Sequence, residues 1–205
     1  MSLARRALLS GLMLPGLARL ALAADPEAAA PIAALNRGLV AGMRAGKATP
    51  FAQRFTTLAP LVEGAFDIPG ILQASVGPRW SALPPAQQTQ LLDVFRRFTI
   101  ASYVANFDSF DGEKLELLPE SRNVGADQIV ASQIVPSRGA PTRIDYVMRR
   151  TPAGWRAVDV LLNGSISRVA VQRSDFRSLL VSGNATPLIQ SLQRKIADLS
   201  GGALA

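Results

Sequence analysis

Aspartates are the side chains in this sequence best suited to acid–base chemistry, because the chain of 205 residues contains neither histidine nor cysteine. Asp145 and Asp159 fall on two neighbouring predicted strands, where a pair of carboxylates could act as general acid and general base. Arg143, Arg149 and Arg156 stand close to them in the sequence, so ion pairing on a sheet surface explains the same pattern. We predict no catalytic residue; the alternative is a small cup-shaped α+β enzyme for an apolar substrate, with Asp145 or Asp159 as its base.

Several other kinds of site are excluded by the residue types present. A chain without cysteine or histidine has no disulfide, no zinc site of the Cys/His type and no Ser-His-Asp triad. The glycines form neither a dinucleotide-binding nor a P-loop pattern, and Ser165 and Ser167 lie outside any nucleophile elbow. The sequence therefore gives no reason to expect a metal ion or a cofactor.

The positive charge of the chain does not indicate nucleic-acid binding. The net charge is +7, but three of the 22 basic residues are arginines within the first 24 residues. Beyond that segment, 19 basic residues face 15 acidic ones and are spread along the chain. Nucleic-acid-binding proteins usually show a denser basic stripe with aromatic platforms, so we expect no nucleic-acid partner.

The first 24 residues have the pattern of an export signal. Arg5 and Arg6 form a positive start, residues 7–22 are almost uninterruptedly apolar, and a small-x-small pattern ends at Ala23. The apolar stretch is shorter than the roughly 20 residues that a membrane-spanning helix needs, so cleavage near Ala23 or Ala24 is favoured over anchoring. We therefore predict a signal peptide and a periplasmic product.

The remaining residues, 25–205, are predicted to form one domain, because single cores usually fill 100 to 200 residues. Apolar residues recur at steps of three and four, which is typical of helices that bury one face. Such periodicity predicts helices over residues 28–45, 50–63 and 84–107, a short helix between Asp67 and Gly77, and two helices after Gly164, the last ending at Gly201-Gly202.

Between residues 113 and 163 the apolar pattern alternates with a period of two, which is typical of strands. The predicted strands are Lys114–Leu118, Gln128–Val135, Thr142–Arg150 and Trp155–Leu162. Short connections between them imply an antiparallel sheet. The predicted fold is α+β: an antiparallel sheet of about four strands with helices before and after it. The helices carry more apolar surface than this sheet must cover, which leaves room for an apolar cavity; a fully packed core is the alternative.

Several spaced motifs in the sequence resemble the MlaC family. The motifs are Phe66-Asp67-Ile68-Pro69-Gly70-Ile71-Leu72 with Trp80, the stretch Leu83–Gln88, Gly154–Val160, Gly164-Ser165-Ile166-Ser167 and Arg173-Ser174-Asp175-Phe176. The resemblance covers the chain from Ala33 to Leu199. Residues 161–177 are more similar to the hopanoid-associated branch of the family, HpnM.

The resemblance implies a periplasmic lipid carrier with no enzyme activity and no cofactor. Its cargo would be a diacyl phospholipid, held by its acyl chains in an apolar cavity, or a hopanoid in the same cavity. Its partners would be an inner-membrane ABC transporter with its substrate-binding subunit and an outer-membrane lipoprotein complex. The alternative in this setting is an adaptor that docks transporter subunits and binds no lipid.

The predicted lipid-binding residues are apolar or aromatic positions on the longest helix and on the amphipathic strands. They are Val94, Phe98, Tyr103 and Phe107 on the helix, Ile144, Tyr146 and Met148 on the third strand, and Val158, Val160 and Ile166 on or after the fourth. Export without an anchor and a surplus of apolar surface both agree with a carrier that holds acyl chains.

Overall fold

The computed structural model describes residues 25–181 and 183–204, so the predicted signal peptide lies outside the described residues. The helices are α1 (Pro26–Ala45), α2 (Phe51–Ala65), α3 (Ile68–Val76), α4 (Pro85–Asn106), α5 (Arg168–Arg177) and α6 (Thr186–Ser200). The strands are β1 (Lys114–Val124), β2 (Asp127–Val135), β3 (Thr142–Thr151), β4 (Gly154–Leu162) and β5 (Ile166–Ser167). No helix within these described ranges is both long and apolar enough to cross a membrane.

The α+β prediction is confirmed, and the strands form one antiparallel sheet in the order β1-β2-β3-β4-β5. The sequence predicted about four strands, and the structure has a fifth, because Ile166 and Ser167 pair with Leu162 and Leu161 at the end of β4. These residues were predicted to start a helix. A strand of two residues is too short to show an alternating pattern.

Strand β1 continues beyond the predicted end at Leu118, where Pro119 interrupts the strand pattern. The structure accommodates the proline in an irregular stretch, where the pairing register shifts between Leu117 and Ser121. Strand β1 is at the edge of the sheet, and edge strands tolerate proline because one side of the strand makes no ladder hydrogen bonds.

A second irregularity lies between β3 and β4. Val147 pairs with Asp159, but its neighbour Met148 pairs with Ala157, so Val158 is an extra residue on β4. Beyond this bulge Ala157 takes the face of the sheet that the alternation had assigned to Val158. Its carbonyl accepts a hydrogen bond from the Asp67 amide at 2.9 Å, which ties the start of α3 to the sheet.

At the starts of α1 and α3, an aspartate side chain accepts a hydrogen bond from a free helix amide. Asp25 accepts from the Glu27 amide at 2.9 Å at the start of α1, and Asp67 accepts from the Gly70 amide at 3.1 Å at the start of α3. A side chain at Gly70 would collide with the Asp67 carboxylate, which explains the glycine in this motif.

The hydrophobic core lies between one face of the sheet and the helices. Helix α1 contacts β1 to β4, helices α2, α3 and α5 contact β4, and α4 packs against α6. The largest fully buried side chains include Leu35, Leu39, Leu91, Phe95 and Leu192. Burying each of these apolar side chains contributes roughly 1.5–3 kcal/mol before the loss of chain entropy is counted.

Arginines join the ends of helices to distant parts of the chain. Arg79 donates to the carbonyl of Arg177, the last residue of α5, at 2.8 Å and to that of Leu180 at 2.9 Å. Arg173 donates to the Ala74 carbonyl at 2.9 Å, near the end of α3. Cations are favourable at helix C-termini because the free carbonyls there are partly negative. These arginines therefore stabilise the position of α5 against the rest of the fold.

Candidate functional site

A cavity of about 370 Å³ lies between β3 and β4 on one side and α3, α4 and α5 on the other. Its wall contains six apolar or aromatic residues that the sequence predicted: Phe98, Tyr103, Phe107, Ile144, Tyr146 and Val160. It contains six further apolar residues that the sequence missed: Phe66, Ile68, Ile71, Phe95, Leu162 and Val169. The polar residues of the wall are Thr99, Ser102, Asn106, Asp159, Arg168 and Gln172. The cavity is therefore mainly apolar and falls within the size range of small-molecule sites.

Helix α4 forms one wall of the cavity, since its lining residues recur at steps of three and four along one face. Two polar side chains on this face bond to the helix itself. The Thr99 hydroxyl donates to the Phe95 carbonyl and the Ser102 hydroxyl to the Phe98 carbonyl, both at 2.8 Å. These polar groups therefore need no partner in the cavity.

The opposite wall comes from neighbouring residues on β3 and β4. Ile144 pairs with Leu162, and Tyr146 pairs with Val160, so all four side chains share one face of the sheet. Strand register thus brings together an apolar surface of two strands that faces α4.

Four aromatic rings join the sheet wall to the helix wall. The Phe66 ring lies 5.5 Å from the Tyr103 ring and 6.2 Å from the Tyr146 ring, measured between centroids. The Tyr103 and Phe107 rings are stacked at 6.0 Å. Aromatic pairs at these distances contribute about 0.5–1.5 kcal/mol each beyond their buried area, so this part of the wall is held firmly.

Burial raises the pKa of both tyrosines above the ordinary value for a phenol. For Tyr103, desolvation is the main cause, the nearby Tyr146 raises the pKa further, and the positive charge of Arg168 opposes the rise. For Tyr146, desolvation alone raises the pKa. Both hydroxyls therefore stay protonated at neutral pH and can donate hydrogen bonds.

Asp159 lies at the cavity wall, but its carboxylate holds the start of α5. It accepts hydrogen bonds from the Val160 amide at 2.7 Å, from the Val169 amide at 3.1 Å and from the Ser167 hydroxyl. The Ser167 oxygen in turn accepts from the Ala170 amide at 2.9 Å. Both carboxylate oxygens are thus used in positioning the helix.

Asp145 is 1% exposed and lies on the face of β3 opposite to Tyr146. Its carboxylate accepts from Arg143 Nε at 2.9 Å. In the sheet register Asp145 pairs with Leu161, whereas Asp159 pairs with Val147. The two aspartates thus have different partners and do not pair with each other in the sheet register. The arginine–aspartate ion pair considered from the sequence is found between Arg143 and Asp145.

Four of the predicted lipid-binding residues lie outside the cavity wall. Val94 and Met148 are buried in the closed part of the hydrophobic core, where other side chains cover them. Val158 is the extra residue of the β4 bulge, which interrupts the alternation that placed it beside Val160. Ile166 is 50% exposed, because β5 is a short strand at the sheet edge.

The missed apolar residues carried some signal in the sequence. Phe95 lies one turn before Phe98 on the same helix, and Leu162 follows Val160 at the strand period of two. Phe66, Ile68 and Ile71 belong to a motif already noted for its resemblance to the MlaC family. Val169 is an apolar position of the helix predicted after Gly164, but α5 is weakly amphipathic, so the pattern does not show that Val169 faces the cavity.

Within residues 25–181 and 183–204, no group of three or more acidic side chains is arranged to hold a metal ion. The fold and the cavity define an α+β protein with an internal apolar site, an arrangement typical of small-molecule binding. The chain belongs to the MlaC family: the family model described as MlaC protein matches residues 35–194.

A solved structure has the same fold. It is described as the phospholipid-binding protein from Ralstonia solanacearum in complex with a phospholipid, and it is 21% identical to this chain with a TM-score of 0.72. The match covers 85% of this chain and 99% of that protein. No curated protein matches the sequence.

Proposed function

We propose that this protein is a periplasmic lipid carrier that holds the acyl chains of a phospholipid in the cavity between α4 and the sheet. The observation that carries the proposal is the cavity of about 370 Å³ with its largely apolar wall. Membership of the MlaC family and the shared fold with a phospholipid-binding protein support it.

Binding of this kind needs no covalent chemistry. Each methylene group moved from water into an apolar cavity contributes about 0.8 kcal/mol, so an acyl chain supplies a large driving force without a charged anchor. Both aspartates considered as bases are engaged in structural contacts, Asp145 with Arg143 and Asp159 with the start of α5. We accordingly propose a binding and transport protein and no enzyme.

The proposed route of the cargo runs between an outer-membrane lipoprotein complex and an inner-membrane ABC transporter with its substrate-binding subunit. The export pattern of the first 24 residues and the family support this route. A hopanoid is the second cargo to test, because residues 161–177 resemble the hopanoid-associated branch. A lipid-free adaptor would have a packed core, and the cavity is an argument against that alternative.

Transfer from vesicles tests the proposal. Delipidated protein is incubated with phosphatidylglycerol–phosphatidylethanolamine vesicles, separated by gel filtration, and assayed for lipid phosphorus. We expect phospholipid to elute with the protein at a fixed ratio, and to be released again to fresh vesicles. Protein that elutes without lipid after saturating incubation would overturn the carrier function.

A further inference from the structure

Two tyrosine hydroxyls lie in a cavity that is otherwise mainly apolar. Tyr146 is 5% exposed and Tyr103 is half-buried, and both line the cavity. Neither hydroxyl has a hydrogen-bond partner among the described residues. Neither is fully enclosed by protein, in contrast to Trp155 Nε1, which is buried without a partner. The hydroxyls are therefore open to the cavity and free to bond to whatever fills it.

The neighbouring polar groups of the helix wall are already engaged. Thr99 and Ser102 donate to carbonyls of their own helix, and the Asn106 amide donates to the Ser102 carbonyl at 2.8 Å. Across the cavity, Gln172 Oε1 accepts from the Ser75 hydroxyl at 3.1 Å. These four side chains each make at least one hydrogen bond within the protein, whereas Tyr103 and Tyr146 make none among the described residues.

When a ligand displaces water from the cavity, a hydroxyl left without a partner costs free energy, and a ligand that supplies an acceptor avoids that cost. Both phenols are neutral donors at physiological pH, since an ordinary phenol ionises only near pH 10 and burial raises the pKa of both further. The partner they suit is therefore an uncharged or anionic oxygen acceptor inside the cavity, and aliphatic carbon offers none.

The surroundings of the two tyrosines are charged at one end of the cavity and apolar at the other. This difference gives a bound lipid a preferred orientation. Arg168, an exposed residue at the start of α5, lines the same cavity as the tyrosines and forms no ion pair among the described residues. At the other end of α5 the Phe176 ring lies 6.2 Å from the Phe95 ring. The cavity extends along α4 to Phe95, about 12 Å from Tyr103 at 1.5 Å per residue.

We propose that the hydroxyls of Tyr103 and Tyr146 form a polar subsite for the ester carbonyl oxygens of the bound phospholipid. The acyl chains then extend toward Phe95, Ile68 and Ile71, and the phosphate lies on the side of Arg168. This inference rests on the proposed carrier function and deepens it, because it assigns the part of the lipid that the cavity recognises by hydrogen bonds.

The test compares two lipids that differ only in those acceptors. Dioleoyl phosphatidylglycerol and its diether analogue, which lacks both ester carbonyls, compete for the delipidated protein at equal concentration, and mass spectrometry of the complex gives their ratio. We expect the wild-type protein to favour the ester by roughly threefold to tenfold, as one or two neutral hydrogen bonds would give.

The double variant Tyr103→Phe/Tyr146→Phe removes the two hydroxyls and leaves the rings in place. We expect it to lose the preference for the ester, so that it takes up the two lipids in nearly equal amounts. Thr89→Val is the control, since the Thr89 hydroxyl bonds to the Pro85 carbonyl on the exposed side of α4; it should keep the wild-type ratio. Each single Tyr→Phe variant should lose part of the preference.

The outcomes separate this inference from the function on which it rests. If the wild type takes up both lipids equally, or the double variant keeps the wild-type ratio, the polar subsite is wrong and the carrier function stands. If the wild type takes up neither lipid, the carrier function fails and the subsite fails with it.

Discussion

The two ends of strand β3 present side chains on the same face but have different surroundings. Met148 is fully buried, paired with Ala157, in a region that α1, α2 and the Phe66–Ala157 bridge close completely. Two and four residues earlier, Tyr146 and Ile144 face the cavity instead. We call the surroundings of Met148 the closed region and the cavity with its wall the open region. An apolar face on a strand therefore identifies what is shielded from water, but the elements packed above it decide whether protein or a ligand fills the space.

The largest expected effect is a charge placed in the open region. We expect Val160→Glu to reduce bound phospholipid by about a hundredfold, because a carboxylate in an apolar cavity is strongly unfavourable. Val124→Glu is the matched control, since Val124 is 56% exposed at the end of β1. Lipid phosphorus per mole of folded protein measures both variants. Equal lipid in the two would contradict the position of the cavity.

The stability of the two regions should differ for the same truncation. In the delipidated protein, Leu192→Ala in the closed core should lower the free energy of unfolding by about 3 kcal/mol, because it creates a cavity. Leu162→Ala should cost only about 1 kcal/mol, because Leu162 already borders open space and has fewer contacts to lose. Urea unfolding measures both, and equal losses would show that the open region is as tightly packed as the closed one.

Alkaline pH should act on the tyrosines of the open region. Their folded pKa is raised, so the unfolded chain ionises first and releases protons near pH 10, while the folded protein keeps them. The stabilising contribution is thus complete below about pH 10 and decreases above it, by at most about 1.4 kcal/mol per pH unit for each tyrosine. Arg168 reduces the effect at Tyr103.

Denaturant unfolding between pH 9 and 11 measures this slope. The double variant Tyr103→Phe/Tyr146→Phe should show a shallower decrease than the wild type, because it has no phenol left to ionise. Identical slopes in the two proteins would show that the tyrosines ionise as readily folded as unfolded.

The smallest expected effect concerns Asp159, at the border of the cavity. Asp159→Ala should lower stability by about 1 kcal/mol through loss of the hydrogen bonds at the start of α5. Asp175→Ala, an exposed aspartate on the same helix, is the control. Both variants should still bind phospholipid. Unchanged stability together with loss of a measurable turnover would instead favour the enzyme alternative.

Much of this arrangement could be predicted from periodicity. The helical period placed Phe98, Tyr103 and Phe107 on α4, and the alternation placed Ile144 and Tyr146 on one face of β3. In the structure all five residues line the cavity. Their contact with lipid stays a prediction. The alternation also grouped Met148 with them, because a pattern of apolar residues carries no information about which helices cover each end of a strand.

Features set by distant contacts could not be predicted in this way. The bulge at Val158 belongs to the pairing of β4 with β3 and to the hydrogen bond between Ala157 and Asp67, residues far apart in sequence. Likewise, Asp159 was considered as a base or an ion-pair partner, and its role at the start of α5 depends on a turn that brings Ser167 and Val169 back to β4.

Native mass spectrometry of the mature protein taken from cells tests the proposed carrier function most directly, followed by organic extraction and identification of what is released. We predict a stoichiometric phospholipid, whose mass is lost on extraction; a stoichiometric hopanoid would keep the carrier function and change its cargo. Protein that is lipid-free as isolated and also takes up no lipid from vesicles would contradict the account.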